Sequence, residues 1–359
     1  MKINRNFLDR LQNVKNYGVY NCNKYRKKVG TMKHKKLIIG ACLGAAGAAG
    51  TIAASRFITK KLTQYAIDRE APKSFGHLKG AFSGTTSKIP EEIQQVYDDQ
   101  RKAAEKLEAS NLTEISVTSF DGLKLVGHLS TCASPKRLII AFHGWRSSWS
   151  TDFGLVSDFW HENDCNVLYA EQRGQNGSEG DYIGFGLLER NDCLTWANWA
   201  NEQGFGLPVY LCGLSMGATT VLMSAGLKLP ECVHGIIADC GFTSPYAITK
   251  YVTEKNLHLP YYGMREKQVA GICNKAFNSE NYRYSCTQAL KDAVVPVLFI
   301  HGTADKFVPV EMTYENYLAC ASPKRLLIVP GADHGMSFIV ERDRYEKAVK
   351  NFWKDFDAE

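Results

Sequence analysis

The sequence predicts an α/β chain built on a mostly parallel, doubly wound sheet. Three observations predict it. From residue 138 onward, apolar runs of four or five residues recur without a polar interruption, as strands buried on both faces of a sheet require. Stretches of helical spacing separate these runs, which is the alternation of a crossover fold. Three short segments carrying serine, aspartate and histidine each follow such a run. That places them at the edge where open parallel sheets bind ligands.

Hydrophobic residues make up 45% of the 359 and charged residues 22%, which is enough apolar material for a large core. Residues 1–36 hold eleven Lys or Arg and one acid, Asp9, so the net charge of +6 belongs to a basic tail. The rest of the chain has no basic patch interleaved with aromatics and is not read as nucleic-acid binding. Residues 37–54 (LIIGACLGAAGAAGTIAA) carry no charge and follow Lys33, Lys35 and Lys36. At about 1.5 Å per residue they reach about 27 Å, close to a bilayer core. A signal-anchor helix is expected there. A cleaved signal peptide with small residues at Ala53–Ser55 and a buried helix of a soluble fold are the alternatives. A Gly-rich phosphate loop is disfavoured because a helical pattern, not a second strand, follows. Seven Lys or Arg in 17–36 against five in 55–74 put the large domain outside the membrane.

Residues 55–111 are expected to hold two helices (56–70 and 91–109) around a Gly-, Ser- and Pro-rich linker at 71–90. A domain spanning 112–359 follows. Leu112–Ser119 and Leu123–Leu129 alternate around the Asp121–Gly122 turn as a hairpin. The buried strands are Leu138–Phe142, Val167–Ala170, Val209–Cys212, Gly235–Ala238, Val297–Ile300 and Leu326–Val329. The long interval 241–295 exceeds one crossover helix and predicts a small cap. Eleven Cys without a C-x-x-C pair exclude the usual zinc spacing and read as mostly buried free thiols.

The chemistry begins at Gly213-Leu-Ser215-Met-Gly217. Small residues on both sides of a serine permit a sharp strand-to-helix turn that lifts the hydroxyl above the sheet. A serine needs an imidazole to take its proton, and the imidazole needs a carboxylate to fix its tautomer. Asp305 ends the HGTAD segment and His334 lies in the DHG segment. Asp239, at the end of the preceding strand, is the competing acid. Phe142-His143-Gly144-Trp145 is expected to supply an oxyanion donor from the Trp145 N–H, paired with that of Met216. His143 is read as a residue packed beneath this loop.

These segments together resemble the α/β-hydrolase superfamily over about residues 112–355. The matching stretches are H-G-W at 143–145, R-G-x-x-G-S-x-G at 173–180, G-L-S-M-G at 213–217, H-G-T-A-D at 301–305 and D-H-G at 333–335. Within it the chain is similar to the serine aminopeptidase-like and Bem-type hydrolases, including bacterial members with an amino-terminal anchor. The resemblance implies hydrolysis through Ser215, Asp305 and His334. It also implies a structural role for the Arg173–Gly180 segment.

The expected activity is cleavage of an ester, thioester or amide through an acyl-enzyme, with no metal or organic cofactor. The substrate is expected to be a small-molecule or peptide acyl compound. Tyr261, Tyr262 and Met264 are expected to line the acyl pocket. A peptidase for free amino termini is an alternative that needs an acid in the pocket, with Glu179, Asp181 and Glu189 as candidates. A catalytically silent, membrane-tethered binding protein is the alternative from another class.

Overall fold

The computed structural model describes residues 45–70, 91–278 and 281–357. Eight strands form one sheet: β1 (Thr113–Thr118), β2 (Lys124–Ser130), β3 (Arg137–Phe142), β4 (Cys165–Ala170), β5 (Val209–Leu214), β6 (Val233–Asp239), β7 (Val297–Gly302) and β8 (Lys324–Val329). Their spatial order is β1-β2-β4-β3-β5-β6-β7-β8. The hairpin pairs antiparallel within itself and against β4, and every pair from β4 to β8 is parallel. Each of the six predicted buried runs sits inside an observed strand that extends one to three residues further, and the two hairpin strands fall within one residue of their expected bounds at each end.

The central strands are buried on both faces because they carry apolar residues at every position. Leu138, Ile140 and Phe142 of β3 enter one core layer, and Ile139 and Ala141 enter the other. The chain runs from β3 outward to β4, then crosses back to β5 on the other side of β3. This reversal opens a crevice beyond the carboxyl ends of β3 and β5. Strand register brings those ends level, with Phe142 opposite Gly213, Leu214 opposite Asp239, and Asp239 opposite Ile300. His143, Ser215 and the β7 end therefore meet at one edge.

The interval 241–295 holds the helices Pro245–Tyr251 and Met264–Ala276 and a short turn of helix at Cys286–Ala289. Among the described residues nine cysteines are free, and seven of them are buried.

The amino-terminal expectations meet the structure only in part. Residues 1–44, which include the basic tail and the first part of the 37–54 segment, lie outside the described residues, as does the 71–90 linker. Residues Ala45–Ile67 form one helix, so the expected boundary after residue 54 is not a break in secondary structure. Among the described residues no helix is long and apolar enough to cross a membrane. From Ala54 onward the chain forms one compact unit with the sheet, and Thr59, Thr63, Tyr65 and Ile67 are buried in it.

Candidate active site

β5 ends at Leu214 and the next helix begins at Met216, so Ser215 is the whole turn. Its backbone lies at φ 56° and ψ −113°, a strained conformation for a non-glycine residue. The Ser215 N–H donates to the Asp239 carbonyl at 2.8 Å and holds the bend. The flanking glycines are there for closeness. A Cβ on Gly213 would collide with the Gly217 carbonyl, and one on Gly217 with the Phe142 carbonyl. The first N–H groups of the Met216–Ser224 helix, Met216 included, lack intrahelical acceptors and face the serine end.

A line of hydrogen bonds runs from that turn. Ser215 Oγ lies 2.8 Å from His334 Nε2, and His334 Nδ1 lies 2.7 Å from Asp305 Oδ2. Asp305 Oδ1 accepts the Phe307 and Val308 N–H groups at 2.9 and 2.8 Å. Burial by itself would raise the Asp305 pKa. The charge at His334 and hydrogen bonds from His301 and His334 win, holding it well below the usual carboxylate range. Burial works against a charged His334, but the Cys240 sulfur and the Asp305 carboxylate outweigh it and hold its pKa above the ordinary value. Asp239 is not the partner of His334. Its Oδ1 accepts from Ser337 Oγ at 3.0 Å, and burial pushes its pKa up to about 6.

His301 is a member of this cluster that motif reading passed over. Its side chain is fully buried, with Nε2 3.1 Å from Asp305 Oδ2 and 3.0 Å from the Val308 carbonyl. Both neighbours are acceptors, so Nε2 carries the proton, and Nδ1 accepts from Thr313 Oγ1 at 2.6 Å. The signal was in the HGTAD segment, four residues before the aspartate. Cys240, Asp305 and His334 also bring ligand-type atoms within 4.8 Å of one another. The Cys240 thiol is pushed up to about 11 by burial, and Asp305 and His334 already engage each other.

The loop after β3 lies over the serine. A Cβ on Gly144 would sit 3.5 Å from Ser215 Cβ, so the backbone of Gly144–Trp145 approaches Ser215 closely. Asp152 Oδ2 accepts the Gly144 N–H at 2.6 Å. His143 is fully buried beneath this loop. Its Nε2 accepts the Gln172 N–H at 3.1 Å, which leaves Nδ1–H to donate to the Gly144 carbonyl. Burial lowers its pKa, so it stays a neutral scaffold residue.

Sequence reasoning missed what holds this loop from the other side. Trp145 Nε1 donates to the Ala66 carbonyl at 2.8 Å. The Arg146 guanidinium donates to the carbonyls of Tyr65, Asp68 and Arg69 at the carboxyl end of the amino-terminal helix. A cation at that end answers the helix dipole as well as the orphan carbonyls. No local pattern in residues 55–70 could show this, because both contacts join segments nearly eighty positions apart.

The Arg173–Gly180 segment is structural. Arg173 is buried and bridges Asp192 Oδ1 at 2.6 Å and Asp121 Oδ2 at 2.8 Å, tying the hairpin turn to the Glu189–Glu202 helix. The three candidate acids for an amino-terminal ammonium are placed elsewhere. Glu189 accepts the Gly184 and Gly186 N–H groups, Glu179 accepts that of Lys124, and Asp181 is exposed.

An apolar cavity lies near the line, and Trp145 and Phe307 are among the residues that line it. The Phe307 ring stands edge-on to His334 with centroids 5.0 Å apart. Leu62 and Ala66 of the amino-terminal helix face Ile248, Val252 and Val269 of the cap across it. The residues expected to line the pocket do not. Tyr261 is buried against Tyr246, while Tyr262 and Met264 are 73% and 56% exposed. The next helix starts at Met264 and turns its Val269 and Cys273 inward instead.

Comparison with known proteins agrees with this architecture. The prolyl oligopeptidase family pattern (Peptidase_S9) matches residues 151–357, more than half of the chain. The chain belongs to the prolyl oligopeptidase family. This family member is 27% identical over 266 residues to YqkD of Bacillus subtilis (strain 168), covering 72% of this chain and 85% of that one. It is also 27% identical over 249 residues to YfhR of Escherichia coli (strain K12), covering 67% and 79%. Among solved structures it is similar to the Pyrococcus furiosus esterase Pf2001, with TM-score 0.58, 20% identity and coverage of 70% and 94%. The Pyrococcus horikoshii acylaminoacyl peptidase gives TM-score 0.52 at 19% identity, with 70% of this chain and 42% of that one covered. The fold of this prolyl oligopeptidase-family chain is thus the α/β-hydrolase fold, and the chain is a hydrolase of that class.

Proposed function

We propose that the chain is a serine acyl hydrolase of carboxylesterase-like specificity. Ser215 attacks the substrate carbonyl while His334 Nε2 takes its proton. Asp305 fixes the imidazole tautomer and stabilises the cation that forms. The Met216 and Trp145 N–H groups hold the oxyanion. His334 then protonates the leaving group and activates the water that frees the acyl-enzyme.

The observation that carries this reading is the Ser215–His334–Asp305 line, with links of 2.8 and 2.7 Å, beside an apolar cavity that shares Phe307 with it. No carboxylate lines that cavity among the described residues, so nothing there would pair with a free amino terminus. An ester of an apolar acyl group is the better match. A fluorophosphonate probe tests the reading: the native chain should label and Ser215→Ala should not. Labelling that survives the substitution rejects Ser215 as nucleophile.

The pH profile gives a second test. His334 must be neutral to accept the serine proton, and its pKa is held above the ordinary histidine value. Activity should therefore rise with pH through that raised value. Asp305→Asn removes the carboxylate, so the acid limb of kcat/KM should move to lower pH. The rate should also fall by about 10⁴ because the tautomer is no longer fixed. An acid limb that stays in place would deny the coupling.

The membrane tether expected from residues 37–54, with the hydrolase domain on the outer side, belongs to this proposal. The chain should resist alkaline carbonate extraction from membranes, and a chain lacking residues 37–44 should be released. Release of both discards the tether.

A further inference from the structure

Among the described residues the cavity wall carries one charge. Arg265, in the first turn of the Met264–Ala276 helix, is the only ionisable Asp, Glu, Lys or Arg among the described residues that line it. Its guanidinium is held by neutral oxygens. Nε donates to Thr59 Oγ1 at 3.2 Å, one terminal nitrogen to Ser55 Oγ at 3.3 Å, and the other to the Pro260 carbonyl. A guanidinium has five N–H donors, so two remain. No carboxylate lies within ion-pair distance among the described residues. The neighbouring Glu266 is paired with Arg283 instead.

Position along the amino-terminal helix places this charge relative to the chemistry. Trp145, at the nucleophile end, is bonded to Ala66, and Arg265 is bonded to Thr59, seven residues earlier. At 1.5 Å per residue the two ends are about 10 Å apart. That matches an extended chain of about eight carbons with bonds of ~1.5 Å. The wall between them is apolar at Leu62, Ile248, Val252 and Val269 and carries no charge among the described residues, its other polar groups being hydroxyls such as that of Thr63, which donates to the Thr59 carbonyl. A substrate that complements this cavity is apolar in the middle and anionic at the far end. A half-exposed cation without a counter-ion gains a charge-assisted, two-pronged bond from a carboxylate.

We propose that Arg265 is a specificity residue that receives a carboxylate at the distal end of the acyl chain. The substrate class is then half-esters of medium-chain dicarboxylic acids. This rests on the serine hydrolase reading above and names the substrate class of the same site.

The test compares p-nitrophenyl octanoate with the mono-p-nitrophenyl ester of octanedioic acid, which differ only at the far end. The native chain should prefer the acidic ester in kcat/KM by about tenfold, and the preference should shrink as salt rises. Arg265→Met should bring the ratio of the two kcat/KM values towards one, and Arg265→Glu should reverse it. Equal rates on the two esters by the native chain overturn the proposal without any variant. So does an Arg265→Met or Arg265→Gln that lowers both esters alike, which would make the residue a strut for the helix. Fluorophosphonate labelling of Ser215 is read in parallel. Absent labelling together with no hydrolysis of either ester rejects the hydrolase reading itself, whereas labelling with equal rates rejects only the role of Arg265.

Discussion

Alanine in place of Ser215 is expected to lower kcat on a p-nitrophenyl ester by about 10⁴-fold or more. His334→Ala should cost a similar factor. The hydroxyl and the imidazole share one proton across 2.8 Å, so they act as a unit and their losses should not multiply. The double variant should be no slower than the worse single variant. The residual rate would reflect the oxyanion donors and the cavity, which both substitutions leave in place. Steady-state kinetics on the three variants decides it, with thermal unfolding to show that each is folded. Losses that multiply would mean that the two residues act in separate steps.

Gly217→Ala is expected to prevent folding or to cost more than about 4 kcal/mol. The added methyl would enter the Phe142 carbonyl, which is central-strand backbone and cannot rotate aside. Relief would require the Met216–Ser224 helix to leave β3 and would dismantle the turn that presents Ser215. Gly271→Ala is the matched control. Gly271 lies inside a cap helix with no atom near its new Cβ, so alanine should be neutral or stabilise by up to about 1 kcal/mol. Soluble yield and melting temperature of the two variants test the contrast. A Gly217→Ala chain that melts with the native one would show that the helix does not sit this close to β3.

Much of the fold could be read from the chain because its signal is local. An apolar run such as Val297–Ile300 must be buried wherever it lies, and a small-residue pair around Ser215 permits one kind of turn. The order of serine, aspartate and histidine along the sequence then limits how the three can meet. The cavity was not legible in this way. Tyr262 and Met264 are large and mostly apolar and sit in the cap interval, yet Tyr262 lies exposed just before the helix and Met264 lies exposed in its first turn. His301 was visible only as part of a motif, because its tie to Asp305 depends on the turn that folds residues 301–308 back on themselves.

The strands, the strained serine turn and the choice of Ser215, Asp305 and His334 for the hydrogen-bonded line follow from residue type and spacing within a few positions of the chain. That the helix ending at Ile67 forms a wall of the cavity, that Arg146 and Trp145 clasp its last carbonyls, and that Arg265 is the one charge lining it among the described residues depend on the tertiary fold. The physical reason is that these contacts pair backbone carbonyls and long side chains across scores or hundreds of residues. Such pairings leave no periodicity in either partner and exist only once the sheet has brought the segments together.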